Sequence, residues 1–226
     1  ALGKGQARAE YFTAVRDAVG ALQPQMCYFM ENHDEQRLAS DFVYRSARRG
    51  WLASAVTALS GTNPFLLYFG QELGEAGMDE EGFSGRDGRT TIFDYWSLDK
   101  LQRLEAVDYA VDKLEDEEAS LLADYRQLAL LYTLPEVSEG GYYGLIPLGQ
   151  DAEEVIAYMR FHEQSLLLVL ANFSTNPKEV SLSFPETFFT MAGIKAGSAF
   201  RAVDKLSSSV DYLALTSWAS LRFSVG

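Results

Sequence analysis

Apolar residues in the first third of the chain alternate between helical spacing and short continuous runs. Between residues 7 and 22 they recur every three or four positions, which predicts a helix that ends before Gln23-Pro24. Five consecutive apolar or aromatic residues, 26–30, then indicate a strand buried on both faces. A second helix is predicted near 47–60 and a second strand at 65–69. This order, with short connections, indicates consecutive parallel β/α units.

The pattern changes after the second predicted strand. Residues 72–99 are rich in glycine, acidic and aromatic residues and predict a long loop. A short helix is predicted within 98–110, and a longer helix follows from about 115 to 134. Pro135 is expected to end that helix.

Beyond position 139 the apolar residues occur in short runs separated by turn-forming residues. Seven strands are predicted there, at residues 142–148, 155–161, 166–173, 179–184, 199–203, 212–215 and 221–225. Such spacing favours an antiparallel β-sandwich. We therefore expect an α/β part over residues 1–138 and an all-β domain over residues 139–226.

Composition narrows the function without identifying it. The 226 residues are 47% hydrophobic, enough for a sizeable packed core. The formal net charge of −13 argues against nucleic acid as a partner, because phosphate binding needs a basic surface. No apolar run approaches the roughly 18 residues of a membrane span.

Cys27, the single cysteine, lies in an apolar run and is expected to be buried. The chain opens on Ala1, so we take it for part of a longer protein.

Polar side chains follow both predicted strands at their C-terminal ends. Asn32-His33-Asp34 comes after the first strand, and Gly70 and Glu72 follow the second. The C-terminal ends of parallel strands share one edge of a sheet, which is where α/β folds place their sites. The plainer alternative is a polar turn, with Asp34 capping a helix or forming a salt bridge with Arg37.

Three segments in order resemble the α-amylase superfamily of glycoside hydrolases. Asn32-His33-Asp34 after an apolar strand resembles the fourth conserved region of that superfamily. Residues 63–74, ending in Tyr68-Phe69-Gly70-Gln71-Glu72, resemble its last barrel strand, and residues 88–96 resemble a loop before its final barrel helix. The resemblance implies the C-terminal portion of a (β/α)8 TIM barrel, followed by an antiparallel β-sandwich domain.

The resemblance also implies roles for particular residues. Asp34 matches a catalytic carboxylate that stabilises the transition state and is neither nucleophile nor proton donor. His33 matches a residue that binds the same sugar unit, and we expect Asn32 and Arg37 to support substrate binding beside it. Glu31, Glu35 and Glu72 stay outside the catalytic set, the first two in solvated or salt-bridged roles and Glu72 in a structural one. Phe83, Tyr95 and Trp96 are candidates for stacking on sugar rings, although burial against the barrel is the expected fate of any one of them. The implied reaction is retaining cleavage of α-glucosidic bonds in starch-like glucans.

The nucleophile and acid motifs of the superfamily are not in this sequence, and both would lie upstream of Ala1. Retaining hydrolysis needs both carboxylates, so the chain alone is expected to be inactive. We expect no metal or other cofactor in this portion, although calcium is common in full-length relatives.

The expected partners are a glucan or oligosaccharide and the missing N-terminal barrel portion; self-association is the other way to cover open sheet edges. A transglycosylase, a sucrose- or trehalose-processing enzyme and a non-catalytic scaffold remain as alternatives. The resemblance favours an extracytoplasmic location, periplasmic or secreted, which the residues themselves leave open.

Overall fold

Two parallel strands and two helices form the start of the fold. The computed structural model describes residues 10–77, 87–94, 98–149, 152–217 and 220–225. Its first elements are α1 (Glu10–Val19), a 3-10 turn (Gly20–Gln25), β1 (Tyr28–Phe29), α2 (Ala47–Leu59) and β2 (Phe65–Leu66). Tyr28 pairs with Phe65 and Phe29 with Leu66 in parallel register. The order predicted from the apolar pattern is confirmed, with shorter strands.

Cys27 is exposed, and the expectation of a buried thiol was wrong. The strand begins one residue later, at Tyr28, and its sheet has only two strands among the described residues. Such a narrow sheet leaves its outer edges and much of its faces uncovered. Phe29, Leu66 and Leu67 are accordingly exposed despite their apolar side chains.

Three helices follow the second strand. They are α3 (Asp99–Ala106), α4 (Asp116–Tyr132) and the single turn α5 (Pro135–Ser138). Glu115 and Glu118 form a capping box at the start of α4, which places acidic groups at the positive end of its dipole. Pro135 was expected to end α4; the helix stops at Tyr132, and Pro135 instead begins α5. Proline suits the first turn of a helix because a backbone N–H there has no partner within the helix, so the N–H that proline lacks is not missed.

All seven strands predicted for the second part are present. They are β3 (Gly141–Leu145), β4 (Val155–His162), β5 (Ser165–Asn172), β6 (Lys178–Leu182), β7 (Ala199–Val203), β8 (Val210–Ala214) and β9 (Leu221–Val225). Every pairing is antiparallel, in the groups β3-β4-β5, β6-β9 and β7-β8. The arrangement of these sheets as a sandwich stays a prediction, as does a domain boundary at 139.

The sequence pattern missed one helix, α6 (Glu186–Ala192). Its seven residues are too few to show a helical repeat, and the adjacent Phe188 and Phe189 are both buried. Gly193 ends the helix with φ of +65°, a conformation that glycine adopts without strain.

One apolar core crosses position 139. It combines buried side chains of α2 and α4 with others from β4 and β5; the members are Ala55, Val56, Ala58, Leu59, Leu121, Tyr125, Leu128, Leu131, Val137, Ile156, Tyr158 and Ala171. A second core lies around α6 and the antiparallel strands. The α/β part therefore packs directly on β4 and β5. No helix in the described part is long and apolar enough to span a bilayer.

Candidate functional site

A tight turn directly after β1 presents His33 and Asp34 at the surface. The side-chain oxygen of Asn32 accepts hydrogen bonds from the backbone N–H groups of Asp34 (2.8 Å) and Glu35 (2.9 Å). Asparagine favours such turns because its short amide can replace a backbone acceptor. Asn32 therefore shapes the backbone that carries the two predicted site residues.

His33 and Asp34 lie together and are open to solvent. Nε2 of His33 is 3.3 Å from Oδ2 of Asp34, and the side chains are 52% and 77% exposed. A carboxylate can accept hydrogen bonds from sugar hydroxyls, and an imidazole can donate one or accept one. The pair can thus bind neighbouring hydroxyls of one sugar ring.

Arg37, the fourth predicted site residue, lies beneath this turn and is completely buried. Its Nη1 donates to Oε2 of Glu31 at 2.8 Å and to the carbonyl of Phe69 at 2.9 Å, and its Nε donates to Oγ1 of Thr90 at 3.0 Å. Its guanidinium therefore pairs with Glu31, and no salt bridge to Asp34 is formed. A direct contact between Arg37 and a substrate remains a prediction without geometric support in this chain.

Glu31 forms a salt bridge, one of the two roles expected from the sequence, but its burial was not predicted. The sequence indicated a solvated or salt-bridged role; the structure shows a buried ion pair, with Oε1 also accepting the N–H of Leu38 at 2.7 Å. Burial raises the pKa of Glu31, and the charge and hydrogen bond of Arg37 oppose that rise. The available signal was a carboxylate directly after a strand with an arginine six residues later.

The loop at 87–94 lies against the turn. The N–H of Arg37 donates to the carbonyl of Gly88 at 2.7 Å, and the amide of Gln36 donates to the carbonyl of Asp87 at 2.8 Å. Gly88 has φ of +75°, and a Cβ there would lie 2.8 Å from Ser40. Only glycine fits this approach. Tyr95, Trp96 and Phe83, which the sequence offered as sugar-stacking candidates, lie outside the described residues.

A 3-10 turn at Gln71–Leu73, a few residues after β2, is anchored by a buried polar network. Nε2 of Gln71 donates to Oγ of Ser54 at 2.9 Å and to the hydroxyl of Tyr125 at 3.1 Å. This network joins the turn to α2 and α4. Glu72, the next residue, has a buried Oε2 with no hydrogen-bond partner within the described part of the chain. Its predicted structural role is untested.

No group of three or more His, Cys, Asp or Glu side chains within the described ranges is arranged to hold a metal ion. The turn itself presents an imidazole, from His33, and a carboxylate, from Asp34.

Solved structures of α-amylase-type enzymes share this fold. A maltogenic α-amylase from Thermotoga neapolitana matches 100% of the chain with a TM-score of 0.62 at 19% identity, over 45% of its own length. An α-amylase from Geobacillus thermoleovorans matches 99% of the chain (TM-score 0.61, 15% identity, 42% of its length). A trehalulose synthase matches 94% (TM-score 0.52, 18% identity, 44% of its length).

The chain spans less than half the length of each of these structures. At such low identity the similarity establishes the fold alone. The resemblance drawn from the three motifs is therefore confirmed at the level of the fold. No protein-family model and no curated protein sequence matches the chain.

Proposed function

We propose that this chain is the C-terminal portion of an α-amylase-like glycoside hydrolase that cleaves α-glucosidic bonds in starch-like glucans with retention. Residues 1–138 would supply the last two β/α units of the TIM barrel, and residues 139–226 a β-sandwich domain. The observation that carries the proposal is the placement of His33 and Asp34, together and exposed, at the C-terminal end of a parallel strand. In α/β barrels, substrates bind at that end.

Asp34 is proposed to act on the transition state. Glycosidic cleavage passes through an oxocarbenium-like sugar that carries positive charge and a distorted ring. A fixed carboxylate stabilises that charge and accepts hydrogen bonds from hydroxyls whose positions change as the ring flattens. His33, 3.3 Å away, would bind the same sugar unit. The nucleophile and the acid would come from other strands of the barrel, so the chain alone would not hydrolyse its substrate.

The substrate class rests on the matched enzymes together with the site. One matched structure, AmyP, holds maltotriose, and the Geobacillus enzyme holds acarbose. The net charge of −13 suits a neutral glucan better than an anionic ligand. A transglycosylase or a sucrose- or trehalose-processing enzyme is the second candidate, because a trehalulose synthase and a trehalose-6-phosphate hydrolase have the same fold.

The principal partner in this proposal is the rest of the barrel. Phe29 and Leu66 on β1 and β2 are 42% and 41% exposed, and Leu67 follows with 45%. Further barrel strands would pair with the open edges of β1 and β2. The completed barrel would also cover these side chains.

The test is Asp34→Asn in the longest natural protein that contains this chain. We expect the turnover number on soluble starch, measured as reducing sugar, to fall by about 100-fold or more, because the variant loses charge stabilisation in the transition state. The KM should change much less. Asp41→Asn is the matched control, since Asp41 is an exposed carboxylate in the next loop. An unchanged turnover number in Asp34→Asn would contradict the role proposed for Asp34.

A further inference from the structure

The buried carboxylate of Glu31 joins the two ends of the turn that carries His33 and Asp34. One oxygen of Glu31 accepts from Nη1 of Arg37 at 2.8 Å, and the other accepts the N–H of Leu38 at 2.7 Å. Glu31 directly precedes residues 32–36, and its two hydrogen-bond partners directly follow them. The carboxylate therefore links the two ends of this five-residue segment. Glu31 and Arg37 are 1% and 0% exposed.

Arg37 extends this connection to two further segments. Its guanidinium donates to the carbonyl of Phe69, just beyond β2, and to the hydroxyl of Thr90 in the loop at 87–94. The guanidinium also lies over the ring of Tyr68, with its central carbon, Cζ, 4.6 Å from the ring centre. A single side chain thus fixes the turn relative to both neighbouring parts of the site.

Such a pair is poorly explained by stability alone. Moving two charges out of water costs several kcal/mol per ion, and apolar residues of similar size often stabilise a fold equally well. The exposed His33 and Asp34 side chains, in contrast, need a rigid support to be held in a productive geometry. Displacing a binding group by about 1 Å can cost about 100-fold in rate.

We propose that Glu31 and Arg37 are positioning residues, which hold the 32–36 turn so that His33 and Asp34 face a glucose unit without touching the substrate themselves. This inference rests on the proposed function for the identity of the ligand. The geometry of the turn can nevertheless be measured without any ligand.

The experiment compares Glu31→Gln with Glu118→Gln in the longest natural protein that contains this chain. Glu118 is a close match to Glu31: it is 3% exposed, its Oε1 accepts from Arg103 at 2.5 Å, and its Oε2 accepts the N–H of Glu115. It lies at the start of α4, on a different element from the turn. Both substitutions remove a buried charge while keeping an acceptor for the backbone N–H.

The first measurement is amide hydrogen exchange by NMR. The N–H groups of Asp34 and Glu35 are held by Asn32 in the intact turn. We expect these two amides to exchange at least about tenfold faster in Glu31→Gln than in Glu118→Gln. Amides of the β4–β5 pair should exchange at the same rate in both variants. Equal exchange at Asp34 and Glu35 in the two variants would overturn the positioning role.

The second measurement is a titration with acarbose, the ligand of the Geobacillus enzyme, followed by the ring signals of His33 and His162. His33 should respond and His162, far along the chain, serves as the internal reference. We expect Glu31→Gln to raise the Kd about tenfold and Glu118→Gln to leave it unchanged. If the unsubstituted chain showed no response at His33, the proposed sugar site would fail, and the exchange data would still decide the role of the pair.

Arg37→Lys provides a second variant should Glu31→Gln fail to fold. Lysine keeps the charge but cannot reach Glu31, Phe69 and Thr90 together, because it lacks the planar fork of arginine. Faster exchange at Asp34 and Glu35 in a folded Arg37→Lys chain supports the positioning role, and unchanged exchange contradicts it.

Discussion

Tyr125 shows how burial of one hydroxyl makes stability depend on pH. Tyr125 is on α4, and its ring lies in the apolar core that crosses position 139. Its hydroxyl contacts Oγ of Ser54 at 3.2 Å and Nε2 of Gln71 at 3.1 Å. Burial raises the pKa of Tyr125 from its ordinary value near 10 to about 12, because the phenolate would lose its hydration. Burial raises the pKa of Tyr158 in the same core as well.

We expect stability to fall as the pH rises from about 10 towards 12. In that range the unfolded chain loses the Tyr125 proton while the folded chain keeps it, so the unfolded state binds fewer protons and becomes favoured. The loss from Tyr125 is about 1.4 kcal/mol per pH unit. Tyr125→Phe should flatten the dependence of the free energy of unfolding on pH, measured by urea denaturation, although it costs about 1 kcal/mol at pH 8 through lost hydrogen bonds.

Tyr109→Phe is the control for this series, since Tyr109 is an exposed tyrosine. A pH dependence as steep in Tyr125→Phe as in the unsubstituted chain would show that ionisation of Tyr125 does not contribute to alkaline unfolding.

At the scale of one element, α3 depends on a carboxylate that is distant in sequence. Its N-cap residue, Leu98, provides no side-chain acceptor. Glu75 takes that role, since its Oε1 accepts the N–H groups of Lys100 (2.8 Å) and Leu101 (2.9 Å). A negative charge there also suits the positive end of the helix dipole. The long loop after β2 and the following helix are thereby joined.

Glu75→Ala should destabilise the protein by about 1–2 kcal/mol, because two half-buried N–H groups at the start of α3 lose their acceptor. Glu75→Gln should cost less, since an amide oxygen can still accept. Urea denaturation measures both, with Glu105→Ala on the exposed side of the same helix as the control. A loss in Glu105→Ala equal to that in Glu75→Ala would contradict a specific capping role.

At the scale of the whole molecule, Arg160 connects the α/β part to the antiparallel strands. It is 1% exposed, and its guanidinium donates to four carbonyls, those of Glu136 (3.0 Å), Ser60 (3.2 Å), Val137 (2.7 Å) and Gly140 (2.8 Å). Burial, with a contribution from nearby Arg16, lowers the pKa of Arg160 to about 10. One side chain on β4 thus satisfies backbone groups at the end of α2 and around α5.

Arg160→Met should lower the free energy of unfolding by about 3 kcal/mol or more, because several buried carbonyls lose their donor at once. Arg222→Met, an exposed arginine on β9, should change it by less than about 0.5 kcal/mol. Far-UV circular dichroism and tryptophan fluorescence should report one coincident unfolding transition in the unsubstituted chain, since one core crosses position 139. Separate transitions would show that the two parts unfold independently.

Much of the element order could be predicted from sequence because it depends on local patterns. Apolar spacing identified the helices over 10–19, 47–59 and 116–132, and turn-separated runs identified all seven later strands. The Asn32-His33-Asp34 turn was also recognisable, because residues adjacent in sequence build it. Local patterns failed for α6, which is shorter than two helical turns and is stabilised by the aromatic core around it.

Tertiary structure decided which charges are buried and what they contact. Sequence proximity offered Asp34 as a partner for Arg37, yet the guanidinium instead reaches Glu31, Phe69 and Thr90 from three separate segments. The contact of Arg160 with Ser60 joins residues 100 positions apart. A buried charge is stabilised only by the groups that the folded chain brings around it. The sequence by itself therefore determined which residues the turn presents, and only the fold determined what supports them.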